Sequence, residues 1–311
     1  MSTPDTVGVL VMAHGTPASL DELATFASEI MGGRAPSAAY LAELRKRYLA
    51  IGGISPLAEK TRAQAEGIAR ALNAARPGRF RVVLGNRHSE PRIAEAVAAL
   101  AEQGVAAAIG VVLAPHYSEL SVGRYASVAH EAADAKGMDL QVLESWYQAS
   151  GFAELHAERV RKALATLPPG AQFDPQLLFS AHSLPLSTIE KGDPYADQVK
   201  ASARAAAEAS GVGRWSVCWQ SAAPGTGQPW LQPDVREAIS EAGESGATGV
   251  VVCPIGFVTE HLEVLYDLDV DAHAAADAAG IPFARAATLD DDPRFCALLA
   301  NTVAMAADAV V

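Results

Sequence analysis

Short apolar, β-rich runs alternate with alanine-rich stretches along the whole chain, and this alternation constrains the fold more than any other feature. Strands that alternate with helical segments are typical of parallel sheets, in which each helix carries the chain back across the sheet. We therefore predict an α/β fold with helices flanking parallel sheets. The predicted strands are Val7–Met12, Phe80–Leu84, Ala106–Leu113, Leu140–Leu143, Leu177–Phe179, Trp215–Trp219 and Gly249–Cys253.

Two segments in different halves of the chain have the same form. The run from Val11 to Pro17 reads VMAHGTP, and the run from Phe179 to Pro185 reads FSAHSLP. Each has a strand, then Ala-His, a small residue and a proline. With 311 residues the chain can also bury two cores of ordinary size. We predict two similar α/β domains, residues 1–147 and 148–311.

Four histidines follow predicted strands. Ligands of open parallel sheets bind beyond the carboxyl ends of the strands, so we expect these side chains to line one cleft between the two domains. Neutral imidazoles in such a cleft can bind metals or accept protons. The four are His14, His88, His116 and His182.

The segment Thr259–Asp271 is rich in carboxylates and has helical periodicity. On an α-helix Glu263, Asp267 and Asp271 lie on one stripe, with Glu260 one turn before Glu263. Like charges at this spacing repel, so a cation should offset them. The segment is either a solvated acidic face or a track for a divalent cation, since carboxylate oxygens bind such ions. We favour the track.

The net charge of −12 argues against nucleic acid as a partner, because phosphate backbones require a basic face. The charge is uneven, however. Residues 34–92 hold 12 of the 24 Lys and Arg against four Glu, a net charge of +8. This segment either forms solvated helix faces or binds a substrate that carries carboxylates.

Cysteine usage and hydropathy indicate the compartment. Cys218, Cys253 and Cys296 are far apart and odd in number, which suits a reduced protein without disulfides. No apolar run approaches the roughly 18 residues that a membrane span needs. We expect a cytoplasmic protein with no membrane span.

Nine stretches in sequence order together resemble the ferrochelatase family along nearly the whole chain. They are MAHGTP (12–17), RYLAIGGISPLAEKT (47–61), VVLAPHYSELSVGRY (111–125), ESWY (144–147), FSAHSLP (179–185), GDPYADQ (192–198), CWQS (218–221), PWLQPDV (229–235) and PIGFVTEHLEVLYDLD (254–269). The resemblance implies the chelatase fold, with two similar Rossmann-like domains and a porphyrin between them. It also implies insertion of Fe²⁺ into that porphyrin, with no cofactor beyond the substrate iron.

The resemblance assigns roles to individual residues. His182 and Glu263 match the family's invariant pair, with His182 as proton acceptor or metal ligand and Glu263 opposite it on the other wall of the cleft. Two pyrrole N–H protons must leave as the metal enters, so the reaction needs a base. It also needs N and O ligands that bind Fe²⁺ without retaining it. Asp267 and Asp271 match a metal route or a secondary divalent-cation site. Positions near bound porphyrin match Arg34, Arg47, Ser55, His88, Tyr125 and Trp230.

Three features refine the interpretation. His14 stands where bacterial coproporphyrin-type enzymes usually have tyrosine; it is a candidate metal ligand, and the exchange of phenolate for imidazole leaves open whether it takes the axial position on the product iron. The segment between Ile30 and Tyr40 is short and polar. Three cysteines cannot supply the four thiolates of an iron–sulfur cluster, so no such cluster is expected.

The polar segment and the +8 charge favour coproporphyrin III, which has four propionates, as substrate. We expect a monomer that transfers coprohaem transiently to the next enzyme of haem biosynthesis. The open alternatives are a protoporphyrin IX ferrochelatase, a sirohydrochlorin chelatase for cobalt or nickel, and a non-catalytic haem or metal carrier, which would stop at one equivalent of metalloporphyrin.

Overall fold

The computed structural model of the protein describes residues 6–222 and 227–310, which form two compact units. The first unit comprises Met1–Ala149 with Asp290–Val311, and the second comprises Ser150–Leu289. Each unit contains a parallel sheet. The strands are β1 (Val7–Ala13), β2 (Phe80–Asn86), β3 (Ala107–Val112), β4 (Asp139–Leu143), β5 (Gln176–His182), β6 (Trp215–Gln220), β7 (Val250–Cys253) and β8 (Phe283–Arg285).

The sheet of the first unit has the strand order β2-β1-β3-β4. All seven residues of β1 are buried, as expected for an inner strand of a parallel sheet with helices on both faces. The helices of this unit are α1 (Leu23–Ile30), α2 (Ala38–Ala50), α3 (Leu57–Ala75), α4 (Ile93–Glu102), α5 (Val122–Asp134) and α12 (Pro293–Val310). Of these, α3, α4, α5 and α12 pack against the sheet, and Met12 of β1 shares one apolar cluster with Val97 and Ala129.

The sheet of the second unit has the order β6-β5-β7-β8, which is the same topology as the first. This agreement confirms the prediction of two similar α/β units. The seven predicted strands are present, and β8, which the sequence analysis missed, completes the second sheet. Its helices are α6 (Phe152–Leu164), α7 (Leu186–Glu190), α8 (Tyr195–Ser210), α9 (Val235–Glu244), α10 (Leu262–Tyr266) and α11 (His273–Ala279), with a π-helix (Asp267–Ala272) between α10 and α11.

The C-terminal helix α12 belongs to the first unit, whereas the sequence analysis placed all of residues 148–311 in the second. The reason is its packing against α3 and the loop after β4. The Phe295 ring lies 5.7 Å from that of Trp146. Cys296 fills the space that a side chain at Gly67 would need, and Asp308 pairs with Arg79 at 3.0 Å. The observed boundary, between Ala149 and Ser150, lies close to the predicted one.

Within residues 6–222 and 227–310, none of the helices is long and apolar enough to span a membrane.

Candidate functional site

His182 is the last residue of β5, where the strand delivers it to the carboxyl edge of the sheet. Its Nδ1 lies 2.6 Å from the carbonyl oxygen of Ser183. A carbonyl can only accept, so Nδ1 carries the proton and the neutral ring has its lone pair at Nε2. This Nε2 is 3.7 Å from Oε1 of Glu263, and the two side chains are 37% and 34% exposed. The pair is therefore open to a substrate.

A second imidazole, His261, lies on the other side of the Glu263 carboxylate. Its Nε2 is 3.7 Å from Oε2 of Glu263, and its Nδ1 donates to the carbonyl of Thr259 over 2.9 Å. Burial disfavours the charged ring, but the carboxylate of Glu263, the carbonyl of Thr259 and the charge of Asp267 together raise the pKa of His261 above its ordinary value. The sequence analysis did not assign His261, although it stands two residues before Glu263.

The fold brings His182 and Glu263 together within the second unit. The sequence analysis placed both residues in the second domain, in agreement with this observation, but its further expectation that they lie on opposite walls of a cleft was wrong. The reason is topological: β5 and β7 are adjacent parallel strands, and α10 begins shortly after β7. Residues that follow neighbouring parallel strands meet at one edge of the sheet.

The acidic segment is not one continuous α-helix. It changes at Asp267 from the short α10 into a π-helix, in which hydrogen bonds connect residues i and i+5. The wider turn of the π-helix still leaves residues four apart near one face, so the alignment of Glu263, Asp267 and Asp271 stays a prediction. Asp267 is buried and accepts a hydrogen bond from Oγ of Ser221. Asp271 is half-buried.

Glu260 precedes α10 and does not belong to a carboxylate stripe, which corrects the prediction of four carboxylates in line. Its Oε1 accepts from Nη1 of Arg285 at 2.9 Å and from Oγ1 of Thr288 at 3.1 Å. The same guanidinium binds Asp269 through a second pair of atoms, with Nη2 3.0 Å from Oδ2. Arg285 is thus a cation that offsets the repulsion expected from the sequence.

Replacing Arg285 with methionine is expected to destabilise the protein by about 3 kcal/mol, because it leaves the carboxylate of Glu260 desolvated without its cation. The side chains of Arg285 and Glu260 are only 15% and 16% exposed. The melting temperature, measured by circular dichroism, should fall by several degrees. The matched control is Lys162→Met, whose pair with Glu158 is 73% exposed on the lysine side and should contribute little. Equal melting temperatures for both variants would contradict the prediction.

In the first unit the rings of His14 and His88 lie 4.8 Å apart between centroids. His14 follows β1 and is exposed, and its Nδ1 donates to the carbonyl of Gly15 over 3.1 Å. This is the same arrangement as at His182, on the strand that corresponds to β5. The third histidine predicted at a strand end, His116, is buried beside the ring of Tyr147.

His88 is held by a carboxylate. Its Nδ1 lies 3.3 Å from Oε1 of Glu29, and the guanidinium of Arg92 forms a two-point ion pair with the same carboxylate. Burial, followed by the charges of His14 and Arg87, lowers the pKa of His88 to about 4 despite Glu29. His88 is therefore neutral at physiological pH.

The other predicted porphyrin contacts differ in exposure. Arg34 is exposed, and its Nε donates to the carbonyl of Met31 at 3.1 Å. Arg47 is half-buried in the last turn of α2. Ser55 is buried, and its hydroxyl accepts from the backbone N–H of Leu57 at the start of α3.

Tyr125 and Trp230 complete this set. Tyr125 is buried in the apolar cluster of the first unit with the guanidinium of Arg87 over its ring at 5.6 Å. Burial raises the pKa of its hydroxyl, which stays protonated. Trp230 is half-buried and forms an antiparallel bridge with Pro185, three residues after His182. Its assignment and those of the other five residues remain predictions.

The predicted metal ligands are His14, His182, Glu263, Asp267 and Asp271. In the described part of the chain, no three His, Cys, Asp or Glu side chains form a group able to hold a metal ion. The three cysteines are buried free thiols. A secondary cation site and the lack of an iron–sulfur cluster therefore both remain predictions.

The chain was compared with known proteins. The family model described as ferrochelatase matches residues 6–307. Among curated relatives, the coproporphyrin III ferrochelatase of Anoxybacillus flavithermus is 41% identical over 300 residues, with 96% of this chain and 95% of the relative covered. Those of Listeria innocua serovar 6a and Bacillus subtilis (strain 168) are each 39% identical and also match 96% of this chain, covering 97% and 96% of the relatives.

Solved structures show the same fold at low identity. SirB from Bacillus subtilis with Fe³⁺ has a TM-score of 0.60 at 12% identity, over 96% of this chain and 94% of SirB. CbiX, described as the terminal enzyme for biosynthesis of sirohaem in denitrifying bacteria, has a TM-score of 0.56 at 16% identity, over 96% and 99%. These likenesses confirm the predicted chelatase fold. Because the ferrochelatase family model matches residues 6–307, nearly the whole of this chain, the chain belongs to the ferrochelatase family.

Proposed function

We propose that this protein inserts Fe²⁺ into coproporphyrin III and so forms coprohaem in haem biosynthesis. The observation that carries the proposal is the 3.7 Å approach of Nε2 of His182 to Oε1 of Glu263 at the open edge of the second sheet. The relatives that are named coproporphyrin III ferrochelatases support the choice of porphyrin.

The tautomer of His182 suits it to receive a pyrrole proton. Because its Nδ1–H is held by the carbonyl of Ser183, Nε2 is the basic atom, and no ring rotation is needed before proton transfer. The carboxylate of Glu263 then stabilises the imidazolium that forms. The same two donors, one nitrogen and one oxygen, bind Fe²⁺ without the strong retention of a thiolate site.

Asp267 and Asp271 are proposed to bring the iron to this pair or to bind a secondary divalent cation. Oxygen ligands exchange hydrated divalent ions readily. The change to a π-helix also supports a functional role, because such bulges frequently occur at functional sites.

The first unit is proposed to bind the porphyrin's propionates and the product iron. Arg34 and Arg47 offer guanidinium groups, and these match carboxylates well. Ser55, Tyr125 and His88 supply polar groups, and Trp230 of the second unit supplies a flat apolar face. His14, with its Nδ1 held by Gly15, is proposed as the axial ligand of the product iron through Nε2.

The preferred substrate can be tested by comparing porphyrins. Purified enzyme should insert Fe²⁺ or Zn²⁺ into coproporphyrin III at least tenfold faster than into protoporphyrin IX, followed by the shift of the Soret band. The expectation rests on four propionates interacting with basic residues instead of two. The reverse ranking would overturn the choice of coproporphyrin III. Product that stops at one equivalent of enzyme would instead indicate a carrier, and turnover of sirohydrochlorin with cobalt or nickel would indicate the other chelatase class.

The remaining proposals concern the protein's localisation, oligomeric state and partners. We propose a cytoplasmic monomer that transfers coprohaem transiently to the next enzyme of the pathway. The net charge of −12 supports the proposal that nucleic acid is not a partner.

A further inference from the structure

Gln220 connects the two chain segments that carry the predicted catalytic pair. It is the last residue of β6 and lies beside His182 in the register of the sheet. Its backbone carbonyl accepts from the N–H of Ser183 at 2.8 Å. Its side-chain Nε2 donates to the backbone carbonyl of Glu263 at 3.0 Å. One residue therefore bonds to both the His182 and the Glu263 segments.

The burial of the Gln220 carboxamide costs folding free energy. The residue is 1% exposed, and its Oε1 has no hydrogen-bond partner within residues 6–222 and 227–310. Burying a polar atom without a partner disfavours folding. An apolar side chain of similar size would avoid that cost, so the bond to Glu263 is the contribution that distinguishes glutamine here.

The bond acts where Glu263 needs external support. Glu263 is the second residue of α10 and so stands in the first turn of this helix, and helix ends fray most readily. The carboxylate of Glu263 reaches Nε2 of His182 and Nε2 of His261 at 3.7 Å each. A small rotation at the start of α10 would change both distances.

We propose that Gln220 is a positioning residue that holds Glu263 opposite His182 through its bond to the Glu263 carbonyl. The inference rests on the proposed function, since it concerns the same reaction. It predicts that loss of the donor impairs metal insertion and leaves porphyrin affinity largely intact.

The first test replaces Gln220 with methionine, which has similar length but cannot donate. Loss of a supporting hydrogen bond of this kind commonly lowers activity about 10- to 100-fold. We expect that loss in kcat for Zn²⁺ insertion, with the KM for porphyrin changed less than about twofold. The control is Gln176→Met at the first residue of β5, where the side chain bonds to Ser216 and Arg214 instead. Its kcat should equal that of the wild type.

A second variant keeps the test decisive if methionine disturbs folding. In Gln220→Glu the side chain donates only when protonated, and burial favours protonation. Activity relative to the wild type should therefore rise as pH falls, which a merely structural role would not produce.

Two outcomes would overturn the inference. One is a wild-type kcat in Gln220→Met, or a loss that Gln176→Met shares. The other is additivity with Glu263→Gln, because a residue that acts through Glu263 should lose no further activity once that carboxylate is gone. A wild-type enzyme that inserts neither metal would refute the proposed function itself.

Discussion

Replacing His182 with alanine is expected to lower kcat for metal insertion by about 10²- to 10⁴-fold, the range for removal of a positioned general base. The variant has no group at the strand end to accept a pyrrole proton from the porphyrin. Binding of coproporphyrin III, measured by quenching of its fluorescence, should change little. The separation of kcat from binding identifies His182 as a participant in the chemical step.

Another histidine of the same unit provides the control. His273 begins α11, is exposed, and contacts the ring of Phe283. His273→Ala removes the same imidazole group from a place without a predicted role and should retain wild-type kcat. A His182→Ala variant with near-normal turnover would exclude the proton-transfer assignment, as would equal losses in both variants.

The strands could be predicted because parallel strands buried on both faces are continuous apolar runs. β1 and β5 each combine such a run with an Ala-His end, and this repetition indicated the duplication correctly. β8 escaped prediction for the opposite reason. It has three residues, Phe-Ala-Arg, and no periodicity can be measured over so short a segment. It is nevertheless the strand that carries Arg285.

The site was predicted in part. The two post-strand segments that carry His182 and Glu263 could be expected at one sheet edge from the general rule for parallel sheets, but their direct approach required the strand order, in which β5 and β7 are neighbours. His261 was missed because side chains two positions apart on a helix do not face each other. In fact His261 has extended backbone at the helix N-cap, where helical spacing does not apply. The π-helix has no signature in the apolar pattern.

The C-terminal helix shows a further limit of local sequence. Nothing in the residues 293–310 themselves indicates which of two similar units they join. The choice depends on complementary shapes that are distant in sequence, such as Gly67 of α3, whose missing side chain leaves the space that Cys296 fills. Close packing of this kind is a property of the folded units and not of any one segment.

Replacing Glu263 with glutamine is expected to lower kcat by at least about 10²-fold, because the carboxylate that would stabilise the imidazolium of His182 is lost. A second readout follows from His261 in the metal-free enzyme. Burial lowers the pKa of this ring, whereas the carboxylate of Glu263, the carbonyl of Thr259 and the charge of Asp267 together raise it. Glu263 is the first-ranked of these raising groups, so its removal should lower the pKa of His261 below that in the wild-type enzyme, as measured by NMR titration.

The two readouts together separate charge from shape. Glu263→Gln keeps the volume of the side chain, so its losses report the missing negative charge. Glu208→Gln, an exposed change on α8 of the same unit, should alter neither kcat nor the pKa of His261. If Glu263→Gln lost activity while the pKa of His261 stayed high, another group would have to stabilise that ring. The bracketing of one carboxylate by two imidazoles would then not describe the electrostatics of the site.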